Sequence, residues 1–147
     1  MGGVFYRTRA HADAGYNFVM FLGVHLLLHS SNPEADRAFF RDVLAIPAID
    51  SGEEWLIFAL PPAEMGIHPS DAPQATAHAG QELAAATLYL MCRNLAETLD
   101  RLKAKGVAHS ELREAEWGVA TSIGLPGGGR LGLYEPHHPL AITPAAG

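Results

Sequence analysis

Histidine, tyrosine and glutamate recur on the apolar stretches of this chain at spacings that share faces. Residues two apart on a strand point to one side of a sheet. His29 therefore shares the face of His25, four residues before it, and His68 shares that of Gly66. Tyr89 and Met91 share another face, and Tyr134 lies on that of Gly132. Glu135 points the opposite way unless the strand is already ending there. His25 and His68, with His29 or Glu64 beside them and water completing the shell, could hold a divalent ion. Glu135 is a further candidate ligand. An inward histidine is more often a hydrogen-bonded core or pocket residue. Read that way, His25, His68, Tyr89, Met91 and Tyr134 line a pocket suited to a planar or apolar guest, held by stacking and a few polar contacts. His137 and His138, between prolines after the last strand, read as a solvated tail.

Other chemistries find little support. Cys92 ends an apolar strand with no cation or histidine beside it in sequence, so a packing role is expected. Gly127-Gly128-Gly129 lacks the lysine and following helix of a phosphate loop and reads as a β-turn. Neither a Ser-His-Asp order nor a carboxylate pair stands out, and no catalytic residue is assigned. Trp55 and Trp117 occupy related points in the two halves and read as core anchors, with a pocket rim as the alternative.

The elements that must position these residues occur twice. An apolar stretch, an asparagine and an amphipathic segment run through Val24, His25, Asn32, Pro33 and Phe40. The same order runs through Ala86, Tyr89, Asn94, Leu95 and Leu102. The two asparagines are 62 residues apart, and Gly66 and Gly132 on the closing strands are 66 apart. Asn32 can cap a helix with Pro33 at its first position. Asn94 with Glu97 resembles a capping box. Strands are expected at 21–30, 55–60 and 64–68 in one half, and at 86–92, 117–125 and 130–135 in the other. A weak second strand is expected in each half. The fold class is α+β: two βαβββ modules, 20–69 and 83–140, joined by a linker at 70–82. Residues 1–19 read as a flexible extension and 141–147 as a C-terminal tail.

With 147 residues, 48% of them hydrophobic and 18% charged, the chain can bury a core without staples. Its net charge of −6 argues against nonspecific binding to nucleic acid or anionic membrane. One cysteine excludes an internal disulfide and fits a reducing cytoplasm. No apolar run approaches the roughly 20 residues of a membrane span.

Three pieces carry a family resemblance across 20–140: Gly23-Val24-His25, Asn32-Pro33 followed by Phe39-Phe40-Arg41-Asp42-Val43-Leu44, and the final hairpin from Pro126 to Pro136. This resembles the vicinal oxygen chelate superfamily of glyoxalase I, bleomycin-resistance proteins and extradiol dioxygenases. The resemblance implies that each half curls into an incomplete barrel, that two halves form a cup around a small-molecule ligand, and that the protein is a homodimer. It also implies metal ligands at four positions, which here are His25, Gly66, Thr87 and Gly132. Two have no side chain and Thr is a poor ligand, whereas a catalytic site wants about three protein ligands. The expected function is a metal-free or weakly metal-binding protein that sequesters an apolar or aromatic molecule, as bleomycin-resistance proteins do. The alternative is a divalent-metal-dependent lyase, isomerase or dioxygenase, with the metal ion as cofactor and Lewis acid.

Overall fold

The computed structural model describes residues 25–53, 55–67 and 74–142. The expected extension at 1–19 and the candidate His68 lie outside the described residues, as does the start of the expected first strand.

The four-stranded sheet of the second half organises the rest. β5 (Tyr89–Met91), β6 (Arg113–Ala115), β7 (Gly118–Gly124) and β8 (Arg130–Pro136) are ordered β5-β8-β7-β6. β5 runs parallel to β8, and the other pairs are antiparallel. A parallel pair needs a crossover, and helix α2 (Leu95–Ala104) supplies it. The βαβββ order expected of this half is therefore present. Asn94 caps α2 by accepting from the backbone N–H of Glu97 at 3.0 Å. The Glu97 carboxylate bonds Arg101 one turn on, at 2.9 Å, instead of completing a capping box.

Leu95, Leu99 and Leu102, at helical spacing, bury one face of α2 against Ile123, Leu125, Leu131 and Leu133. Phe40 joins this cluster from α1 (Pro33–Ala38), which Asn32 caps with Pro33 at its start. The helix continues through a π-helical turn, Phe39–Val43, where the Leu44 N–H reaches the Phe39 carbonyl at 3.1 Å. α1 is fastened to the turn between β7 and β8. The buried Asp36 carboxylate accepts from the Gly127 N–H at 2.7 Å, and the Ser31 hydroxyl donates to the Gly127 carbonyl at 2.6 Å. Both helices thus cover one face of the sheet, and among the described residues no helix covers the opposite, open face.

The first half departs from the expected module. Its described strands are β1 (Ala48–Asp50) and β2 (Leu56–Phe58), a two-stranded antiparallel sheet. Residues 25–30 and 61–67 are not in strands. Leu26, Leu27 and Leu28 remain exposed, and Ile67 is 90% exposed. Strand propensity is expressed through cross-strand packing and burial, and these apolar stretches have neither in the described structure. The expected linker holds a hairpin instead, β3 (Ala75–His78) and β4 (Gln81–Ala84), closed by Ala79 and Gly80 at φ 50° and 75°. Positive φ at both central residues is that of a type I′ turn, whose twist matches the flanking strands. Among the described residues, no helix is long and apolar enough to cross a membrane.

Candidate functional site

Alternation along β8 sorts the candidates. Leu131, Leu133 and Glu135 face the helices, whereas Gly132 and Tyr134 lie on the open face. On that face the parallel register sets Tyr89 opposite Gly132 and Met91 opposite Tyr134. The Tyr89 ring lies against Gly132: a Cβ at that glycine would run into Cδ1 and Cε1 of the ring. Tyr89 in turn meets Tyr134 edge to face, with centroids 5.6 Å apart. Trp117, just before β7, meets Tyr134 the same way at 6.2 Å. Tyr134 is thus flanked by two rings at distances where edge-to-face contact is favourable. Tyr89 is 46% exposed and Trp117 47%, so both offer ring surface to an incoming molecule. Trp55 is also exposed, with the Arg37 guanidinium 4.5 Å above its ring. Neither tryptophan is the core anchor that the sequence suggested.

One polar cluster borders the aromatic surface. The Tyr134 hydroxyl lies 3.2 Å from Nε2 of His138. Burial raises the Tyr134 phenol above its ordinary value, and the charge and hydrogen bond of Glu64 raise it further. Glu64 also accepts from the Ala141 N–H at 2.8 Å and approaches His138 Nε2 at 3.8 Å. His138 stacks on Tyr134 with ring centroids 6.0 Å apart. It is therefore part of the site and not a solvated tail residue. The signal in sequence was weak: an i, i+4 Tyr-His pair, with Pro136 and Pro139 able to turn the chain back.

The remaining candidates go elsewhere. Glu135 faces the helices, where it accepts from the Leu95 N–H at 3.0 Å and lies 3.5 Å from His137. His25 is exposed. His29 stacks on His78 of β3, centroids 5.6 Å apart. Cys92 faces the core; burial raises its thiol pKa, a Thr98 hydrogen bond lowers it, and Glu135 raises it again. Of the four positions where the resemblance puts metal ligands, Gly66 and Gly132 offer no side chain, and the space over Gly132 is taken by the Tyr89 ring. The residues at these positions do not fit a divalent ion. Among the described residues, no group of three or more His, Cys, Asp or Glu side chains is placed to hold one.

A separate depression of about 740 Å³ lies at the far edge, between Phe39, Val107, His109, Leu125 and Arg130. It is open, and none of the site residues expected from sequence lines it.

Solved structures share this architecture. The chain is similar to TnmS3, an antibiotic binding protein from Streptomyces sp. CB03234, at 19% identity and a TM-score of 0.53, covering 81% of this chain and 99% of that one. It is similar at 20% identity and a TM-score of 0.53 to a glyoxalase/bleomycin resistance protein/dioxygenase superfamily member from Sphaerobacter thermophilus DSM 20745, covering 80% and 99%. An integron cassette protein from the mobile metagenome of V. Cholerae matches at 18% identity and a TM-score of 0.50, covering 80% and 98%. No protein-family model matches the sequence. No curated protein matches it.

Proposed function

We propose that this chain, which has the fold of the glyoxalase/bleomycin resistance/dioxygenase superfamily, is a small-molecule-binding protein. It sequesters an apolar or aromatic ligand against the open face of its sheet, without a catalytic divalent ion. Fold alone does not select among the chemistries of such proteins, so the reading rests on the site.

The observation that carries it is the Tyr89 ring lying over Gly132. A position that would otherwise present a charged ligand to a metal presents an aromatic surface, continued by Tyr134 and Trp117. Such a surface binds by stacking and by removing apolar area from water, at about 25 cal/mol per Å² covered. The likeness in fold to an antibiotic binding protein supports the same reading.

The test is a thermal-shift and fluorescence titration with neutral acridine, on wild type and on Tyr134→Ala. Wild type should be stabilised and its tryptophan emission quenched, and the variant should bind at least about fivefold more weakly, the loss of one aromatic contact. Equal binding by both proteins would place the ligand elsewhere. Near-stoichiometric divalent metal in tag-free protein, lost in His25→Ala, would replace this reading with the metal-dependent one.

A further inference from the structure

The flat group already seated on Tyr134 is the protein's own. The chain turns after β8, and the His138 imidazole stacks on the Tyr134 ring at an interplanar angle of 26°. Its Nδ1 lies 2.9 Å from the Pro139 carbonyl oxygen, which can only accept, so Nδ1 carries a proton. Its Nε2 lies 3.2 Å from the Tyr134 hydroxyl. The Glu64 carboxylate stands beside Nε2 at 3.8 Å, its side chain only 16% exposed. A stacking surface, an acceptor in the ring plane and a part-buried counter-charge are the elements that recognise a flat cation bearing N–H groups.

We propose that the seat on Tyr134 recognises a flat, protonated nitrogen ring or aminoheteroaromatic group of the ligand. Glu64 is the counter-ion, and His138 with residues 139–142 is a plug that this group displaces. The inference rests on the aromatic-face reading above and narrows its ligand class. The contacts that fasten it over Tyr134 are the His138 stack, its bond to the Tyr134 hydroxyl and the Ala141 N–H to Glu64, whereas His137 stays tied to the sheet through its N–H to the Trp117 carbonyl at 2.8 Å. A ligand that supplies its own ring and N–H donors replaces these one for one, and adds contact with Tyr89 and Trp117.

The experiment is a fluorescence titration of the full chain at pH 8 with 9-aminoacridine, a flat cation, and with acridine, its neutral analogue. Wild type should bind the cation about tenfold or more tightly than the neutral ring, the worth of one charge-assisted hydrogen bond. Glu64→Gln should remove that preference. His138→Ala should tighten 9-aminoacridine binding by about threefold or more, because no plug has to be displaced. Equal affinity of wild type for the two compounds would overturn the cation inference while leaving the aromatic-face reading standing. Binding of neither compound would overturn the aromatic-face reading itself. Should Glu64→Gln fail to fold, His138→Ala still decides: unchanged or weakened cation binding would overturn the plug.

Discussion

Tyr89 and Gly132 are register partners on the parallel strands β5 and β8, and the tyrosine ring lies over the glycine that lacks a side chain of its own. An aromatic side chain on a neighbouring strand compensates a glycine by covering its bare backbone. The same contact holds Tyr89 where it meets Tyr134, so the glycine is a structural condition of the aromatic surface.

Gly132→Ala puts this to the test. A Cβ there displaces the Tyr89 ring, and a cost of about 1–3 kcal/mol is expected in urea denaturation. The φ at Gly132 is one that alanine adopts without strain. In a Tyr89→Ala background the same substitution should therefore be neutral or slightly stabilising, by up to about 1 kcal/mol from the stiffer unfolded chain. The double-mutant cycle isolates the ring–glycine contact. Equal cost in both backgrounds would mean that something other than Tyr89 resists the added methyl group.

Asp36 should matter more than its place in a short helix suggests. Its carboxylate is buried and satisfies the Gly127 N–H across the turn between β7 and β8. Asp36→Ala leaves that N–H without its partner and should cost about 1–3 kcal/mol. Asp36→Asn keeps an acceptor and should recover part of it. Hydrogen exchange at the Gly127 amide provides the local readout, with faster exchange expected in the alanine variant. Unchanged exchange would show that the bond does not hold the turn.

Which parts of this architecture were legible in the sequence follows from how local their causes are. Asn32-Pro33 and Asn94 announced both helix starts because a cap acts within three residues. Leu95, Leu99 and Leu102 announced the buried face of α2 through their period, and Gly127 to Gly129 the final hairpin through its turn chemistry. The hairpin at Ala75–His78 and Gln81–Ala84 was missed because its turn uses alanine at positive φ, where glycine or asparagine would have signalled it. Leu26 to Leu28 read as a buried strand because composition reports the capacity for burial, not whether a partner arrives. In the site, strand parity set Tyr89 and Tyr134 on one face, but nothing local shows that one tyrosine covers Gly132. The return of His138 onto Tyr134 depends on Glu64, more than seventy residues earlier, and no short-range pattern records it.

Stability should fall at alkaline pH through two groups. Cys92 and Tyr134 both have their proton affinity raised by burial in the folded state. A group raised on folding stabilises fully below its unfolded value and loses that contribution as pH climbs through its folded one. The loss should begin above about pH 8.5 for the thiol and above about pH 10 for the phenol. Cys92→Ala and Tyr134→Phe should each flatten the alkaline limb of a stability–pH curve measured by urea denaturation. Wild-type and variant curves that ran parallel above pH 8.5 would remove these groups as the cause.

Glu135 separates a structural carboxylate from a ligand-binding one. It stands next to Tyr134 in sequence but on the opposite side of the sheet, where its Oε1 accepts from the first backbone N–H of α2 at 3.0 Å. A carboxylate at a helix N-terminus satisfies an otherwise unpaired donor and opposes the positive end of the helix dipole. Glu135→Ala should therefore cost about 1 kcal/mol, with Glu135→Gln recovering part of it through its remaining acceptor. Neither substitution should change the affinity for acridine by more than about twofold, because Glu135 touches neither the aromatic rings nor Glu64 and meets the segment after β8 only at His137, whose backbone N–H stays bonded to the Trp117 carbonyl. A variant of normal stability that bound acridine more weakly would show that β8 turns over before Glu135, and would bring its carboxylate to the open face.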